Sequence, residues 1–431
     1  MQAGGRAAAA IDVLTDIETR HRPAGEALKD WGLSHRFAGS GDRAAIGNIV
    51  YDALRAKSSL GWVMGGDTPR ALVLAVLVRE WGVDIETLKS QFAADRFAPD
   101  PPTDAECASL RDGSVKDAPD WVKADIPEWV WEVFSDGFED DAVAEGIALV
   151  GRPPLDLRVN TLKATRDKAL KALSVYTPEP ARIARNGLRI ATAPGGGRVP
   201  NVQADEAYRK GWVEVQDEGS QVVVELMFPA KGEKILDYCA GAGGKTLALS
   251  ALLENTGQIF AYDRDKTRLA PIYDRLKRAG TRNVQVLGTN RKRLAELEGR
   301  MDRVLVDAPC TGSGTWRRRP ETKWKLTPEM LEKRMGEQAA ALDGAAPHAR
   351  PGGFLCYVTC SVLPQENEVQ VYAFLDRNPA FTLLSAGEVW EELYGTEGPK
   401  PWSSDGCTVT LTPASTGTDG FFFAVLQRNP D

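Results

Sequence analysis

The chain has 431 residues, of which 43% are hydrophobic and 26% charged, with a net charge of −7. That length suits two or three domains, and the composition is that of a globular protein rather than a disordered or fibrous one. No apolar run approaches the roughly 20 residues of a membrane span, no signal-peptide pattern opens the chain, and cysteines without framework spacing suit a reducing cytoplasm.

The first ninety residues read as helices. Apolar residues recur at three-to-four spacing over 10–20, 41–57 and 69–81, with Thr68-Pro69 as a helix start. The Pro-rich stretches at 98–103 and 117–119 read as loop or linker, and Pro127 opens a further helix. From Leu155 the elements become short and mixed: a strand at 155–160, a helix at 166–173, strands at 187–191 and 211–216. Beyond that, strands beginning near Ile235, Gln258, Val284, Val304 and Phe354 alternate with helical stretches, which predicts a doubly wound α/β sheet. The run 420–426 predicts a last strand. Charge is uneven along this order, with a net −11 over residues 1–150 and +7 over 151–210. The basic middle segment is a directed electrostatic feature that the acidic average hides.

Three features mark a site. The first is the glycine-rich turn Cys239-Ala240-Gly241-Ala242-Gly243-Gly244-Lys245-Thr246, after the strand at 234–237. A P-loop needs glycine six residues before its lysine, where this chain has Cys239. A nucleoside cofactor fits better, because it predicts an acid about 20 residues on, at the end of the next strand, and Asp263 stands there. The second and third features are Cys310 in Asp307-Ala308-Pro309-Cys310 and Cys360 in Thr359-Cys360-Ser361, each just past a strand. Loops at the carboxyl ends of parallel strands share one rim, so the glycine loop and both thiols should converge. Cys356 and Cys407 read as small core residues.

Metal binding is disfavoured, since only His21, His35 and His348 occur and none stands near a Cys pair. Thiolate nucleophilicity is the better reading, with Lys245 and Arg317–Arg319 as cations to lower a thiol. A thiol beside a methyl donor suggests pyrimidine C5 methylation. Addition of a thiolate to C6 makes C5 nucleophilic, and an acid such as Asp307 on the N3/N4 edge steadies the charge. These arguments leave open which cysteine attacks.

The motifs 158–163 (Arg-Val-Asn-Thr-Leu-Lys), 216–220, the glycine loop, 307–314, 318–324, 359–361 with Glu366-Asn367-Glu368, and 418–422 together resemble the Sun/Nop-type RNA 5-methylcytosine methyltransferases, the RsmB type above all. The resemblance implies a Rossmann-like class I methyltransferase domain of α/β class over 226–431. It also implies a small α+β RNA-recognition subdomain over 146–225 and an all-α NusB-like domain over 1–145. It implies S-adenosylmethionine as cofactor, held by residues 239–245, Asp263, Arg268, Asn290 and Asp307. Cys360 would attack C6, Cys310 would assist release, Asp307 would hold the cytosine and Lys245 would line the same pocket. Two departures stand out: Gly241-Ala242 replaces the family's Ala-Pro, and Asn290 replaces an aspartate that holds the adenine.

The implied substrate is RNA, 16S ribosomal RNA first, with the target cytosine single-stranded or flipped. Arg158, Lys163, Arg166, Lys168, Lys171, Arg317, Arg318, Arg319, Lys323 and Lys325 are expected to track phosphate, and Trp316 and Trp324 to stack. The acidic N-terminal segment would position RNA weakly or contact protein. A cytoplasmic monomer without membrane contact is the expectation. The alternatives are the same chemistry on tRNA or another rRNA site, a protein substrate, or a non-catalytic ribosome-assembly factor.

Overall fold

The computed structural model describes residues 1–198 and 200–430. The chain divides into two compact units. The first comprises residues 1–153 with two later segments, 192–200 and 315–326, and the second comprises the remainder. This differs from three consecutive segments: the helical unit runs past 145, and a stretch expected in the catalytic domain belongs to it.

The helical unit is built on the predicted helices, seen at Ala3–Arg20, Ser40–Arg55 and from Pro69. Thr68 caps the last of these, its hydroxyl accepting from the Ala71 N–H, and the helix loosens into a π turn over Val76–Glu80. Leu14, Ile46, Ile49 and Leu72 fill the core between them. The Pro-rich stretch ends at a further helix, Asp104–Asp112, which the sequence pattern did not predict and which Thr103 and Glu106 cap reciprocally. Residues 315–326 lie at the end of helix Ser40–Arg55. Trp324 Nε1 donates to Leu54 O (2.6 Å) and Lys323 Nζ to Arg55 O (3.0 Å), satisfying carbonyls that have no partner within the helix.

The second unit holds two sheets. The smaller is antiparallel, in the order β2 (Glu179–Pro180), β3 (Gly187–Ile190), β1 (Leu155–Val159), β4 (Val213–Val215). The larger contains β5 (Lys234–Asp237), β6 (Gln258–Tyr262), β7 (Val284–Gly288), β8 (Met301–Asp307), β9 (Ala349–Thr359), β10 (Phe381–Leu384), β11 (Val409–Leu411) and β12 (Phe421–Arg428). Its order is β10-β12-β9-β8-β5-β6-β7, with β11 also paired to β12. Strands β5 to β9 are parallel, and β12 enters antiparallel beside β9. This is the class I methyltransferase fold.

Period-2 alternation splits this sheet between two cores. Ile235, Leu305, Cys356 and Val358 face one, while Leu236, Val304, Leu355 and Tyr357 face the other. Because both faces are covered, the strands read as continuous apolar runs. The strand order reverses between β5 and β8, so the loops after these two strands part and leave a crevice at their carboxyl ends.

Candidate active site

The glycine loop leaves β5 and turns through Gly241 (φ 47°) and Gly243 (φ 81°), both in the left-handed region. A Cβ on Gly243 would lie 2.5 Å from Ile272, so this position also requires glycine for close packing. Two arginines hold the loop from behind: Arg275 donates to Ala242 O (2.8 Å) and Arg158 to Gly244 O (2.9 Å). Asp263, after β6, is buried and accepts from the Gly241 N–H (2.9 Å), tying the loop to the acid expected to take ribose hydroxyls. Beside them opens a cavity of about 430 Å³, lined by Tyr238, Tyr262, Asp263, Arg268, Leu294 and His348 among others. Its size, its aromatic walls and its single buried carboxylate fit a nucleoside such as that of S-adenosylmethionine.

On the same rim, the loops after β8 and β9 bring the two cysteines together, with the sulfurs 3.3 Å apart and both side chains half-buried. Lys245, on the first turn of helix Gly244–Leu252, pairs with Asp307 Oδ2 at 2.7 Å, and its ammonium lies 5.4 Å from the Phe421 ring centroid. The cations expected to lower a thiol are not what governs Cys310. The hydrogen bond with Cys360, burial, and the charges of Cys360 and Glu366 push the Cys310 thiol well above its ordinary range. It therefore holds its proton at neutral pH. Beneath the rim, burial lifts Asp237 to about 7, opposed by the Thr246 hydroxyl bond (2.6 Å). The glycine at 314 is required by a backbone approach. It accepts from Gly420 N (2.8 Å), and a Cβ on it would lie 2.2 Å from the Gly420 carbonyl oxygen.

Comparison with known proteins bears on this geometry. Residues 224–427 match the family model described as 16S rRNA methyltransferase RsmB/F. Ribosomal RNA small subunit methyltransferase B of Citrobacter koseri is 36% identical over 282 residues, covering 64% of this chain and 60% of that protein. The Enterobacter sp. protein of the same name is 35% identical over 307 residues, covering 70% of this chain and 66% of that one. The chain thus matches a little under two thirds of the length of these relatives. The crystal structure of PH0851 superposes with a TM-score of 0.73 at 26% identity, covering 99% of both chains. Over residues 224–427 the chain is similar to the RsmB/F family. The all-helical residues 1–153 are consistent with the NusB-like domain.

Several residues expected to serve the site stand elsewhere. Asn290 is outside the cavity lining: it is exposed, and its carboxamide oxygen accepts from Lys292 N (3.1 Å) and Arg293 N (3.2 Å), capping helix Arg291–Ala295. Arg158 is buried against Gln216 and the glycine loop rather than open to phosphate, and burial lowers it to about 10. Lys163 is exposed, but its ammonium rests on the Lys210 and Arg278 carbonyls. Lys323, Arg317 and Trp316 are buried in the helical unit, where burial lowers Lys323 to about 8. Lys325 donates to Arg22 O. Of the arginine run, Arg319 alone is fully exposed and Arg318 is half-buried.

Asn160 explains part of its motif without chemistry, since it is buried and donates to Gly211 O and Ala279 O. Among the described residues no group of His, Cys, Asp and Glu could hold a metal, and no helix is long and apolar enough to cross a membrane. The sequence reading assigned no role to Tyr238, His348 or Gln338. Glu366 and Asn367 were marked in advance, through their place in the Glu-Asn-Glu run.

Proposed function

We propose that this chain methylates C5 of a cytosine in RNA, 16S ribosomal RNA first, using S-adenosylmethionine and a covalent bond from Cys360 to C6. The observation that carries the reading is the pair of sulfurs 3.3 Å apart on the rim that also holds Lys245, Asp307 and the nucleoside cavity. Methylation of an exocyclic nitrogen needs no thiol, and two at one rim are unexplained by that chemistry.

The Cys360 thiolate adds to C6, forming the S–C6 bond and moving the C5=C6 electron pair to C5. Asp307, steadied by Lys245, receives the N3/N4 edge and balances the charge that develops there. When bound, the cofactor held beside Asp263 and the glycine loop would supply an electrophilic sulfonium methyl for the C5 pair and would keep the electrons of the broken S–CH3 bond as a thioether. Loss of the C5 proton to water then regenerates C5=C6 as the S–C6 bond breaks and its electrons return to sulfur. The protonated Cys310 donates to that departing sulfur, which suits a release group. Family likeness supports assigning attack to Cys360 and release to Cys310.

Bisulfite sequencing of total RNA from cells with and without the gene tests the reading. One cytosine in 16S RNA should lose protection in the deletion strain. Protection lost only in tRNA or another ribosomal RNA would overturn the choice of substrate, and no lost cytosine would overturn the reaction.

A further inference from the structure

The motif Glu366-Asn367-Glu368 has no role in the chemistry above, yet its first two side chains are among the most buried polar groups of the unit, at 0% and 1% exposure. Glu366 ends the short turn Pro364–Glu366. Its Oε1 accepts from Thr311 N–H (2.8 Å) and Gln338 Nε2 (2.8 Å), and its Oε2 from the Thr311 hydroxyl (2.5 Å). Gln338 also donates to Pro309 O (3.0 Å). The residues on either side of Cys310 are thus held by one buried carboxylate and the amide it orients. Asn367 does the same for the other thiol. Its Oδ1 accepts from the Thr359 hydroxyl (2.6 Å) and its Nδ2 donates to Ser361 O (3.0 Å), the residues flanking Cys360. Tyr357 fixes the pair from below by donating to the Glu366 carbonyl (2.7 Å).

We infer that Glu366 and Asn367, neighbours in the chain, are the positioning pair of the two thiols: Glu366 sets the Cys310 turn and Asn367 sets the Cys360 turn. Neither contacts a reacting atom. A buried carboxylate costs several kcal/mol of desolvation unless donors surround it, and here every partner donates. A single peptide step between the two clamps makes the spacing of the sulfurs a local property of one turn. Sub-ångström placement of reacting groups is worth orders of magnitude in rate, which gives such an arrangement its value. The clamps also differ in charge. Beyond the bond to Cys360 and its own burial, Cys310 is faced by the Cys360 and Glu366 charges and packs near Tyr357, whereas Asn367 brings no charge to Cys360.

The inference rests on the roles proposed for Cys360 and Cys310, and its test separates the two claims. The full chain is compared with Glu366→Gln and Asn367→Ala. The measurements are kcat and KM for RNA, covalent protein–RNA adduct on denaturing gels, and the pH dependence of Cys310 alkylation by iodoacetamide in RNA-free protein, read peptide by peptide. Glu366→Gln should lower kcat about tenfold with KM little changed, let adduct accumulate, and move the Cys310 alkylation midpoint to lower pH. Asn367→Ala should slow adduct formation about tenfold and leave that midpoint in place.

Thr311→Val deletes one hydroxyl bond and Thr359→Val two, since the Thr359 hydroxyl also accepts from Ser361 N (3.2 Å), and both keep every charge, so they serve should either larger change fail to fold. They should reproduce the respective adduct phenotypes at about threefold, with no shift in the midpoint. An unmoved Cys310 midpoint in Glu366→Gln, the same adduct phenotype from both clamps, or wild-type kcat in both threonine variants would overturn the inference. If the methylation reading itself were wrong, the alkylation shift would persist without any adduct.

Discussion

Residues 307–314 and 315–326 are consecutive, and they end in different surroundings. The first stretch, Asp307 to Gly314, lies on the rim of the sheet with Cys310 half-buried and Asp307 paired to Lys245. The second, starting at Thr315, carries half of the arginines and lysines that looked suited to phosphate, and belongs to the helical unit. There Lys323 is 1% exposed and bonded to a helix-terminal carbonyl. The difference teaches that a cation in a sequence advertises charge but not access. A long aliphatic stem lets lysine bury its length and spend its head group on a backbone carbonyl.

The largest expected effect tests the rim side of that comparison. Cys360→Ala should abolish both methylation and covalent adduct, whereas Cys310→Ala should trap adduct on RNA, and denaturing gels distinguish them. Adduct from Cys360→Ala would reverse the assignment.

Next in size is a dependence on pH. Burial raises Asp237 from its ordinary 3.8 to about 7, so between these values the folded chain keeps a proton that the unfolded chain has released. The stability this contributes is full below 3.8 and is lost as pH rises through 7, on the order of 4 kcal/mol at the limit. Denaturant melts of Asp237→Asn should show that slope flattened, and an unchanged slope would place the titration elsewhere.

Gly314→Ala should cost about 3 kcal/mol by forcing a methyl against the Gly420 backbone, read as a lower denaturant midpoint. The smallest effect concerns the buried cation. Lys323→Met should lower stability by about 1–2 kcal/mol through the lost bond to Arg55 O, and leave RNA affinity within about twofold. A large loss of RNA affinity in a folded Lys323→Met protein would erase the contrast between the two stretches. Arg319→Ala, at the exposed position, sharpens it if affinity falls there instead.

The same contrast explains what could be read in advance. The glycine loop, Asp263 and the strand-end cysteines were legible because each depends on local chain geometry: a left-handed turn, a strand end, a fixed spacing. Strands β5 to β9 were legible because burial on both faces leaves unbroken apolar runs. Strands β10 and β11 passed unseen, being short and paired antiparallel to β12, with Thr382 and Thr410 interrupting their apolar pattern. Arg158, Lys323 and Asn290 share one physical circumstance. Each side chain is taken by a backbone group, and in Arg158 and Lys323 that group is distant in sequence and visible only in the fold. For Asn290 the partners are two and three residues on, as in a helix N-cap. Segments 192–200 and 315–326 leave the chain order to join the helical unit, which no local signal in the sequence marks.

The contact between Gly314 and Gly420 carries a consequence for synthesis. The turn bearing Cys310 has its backbone partner 106 positions downstream, in the segment that leads into β12, and β12 also flanks β9, which ends just before Cys360. A growing chain on the ribosome therefore emerges with its cofactor strands long before the last strand can brace either thiol. A chain cut short before residue 420 would keep the Glu366 and Asn367 clamps and lose the Gly420 and β12 contacts behind the two turns.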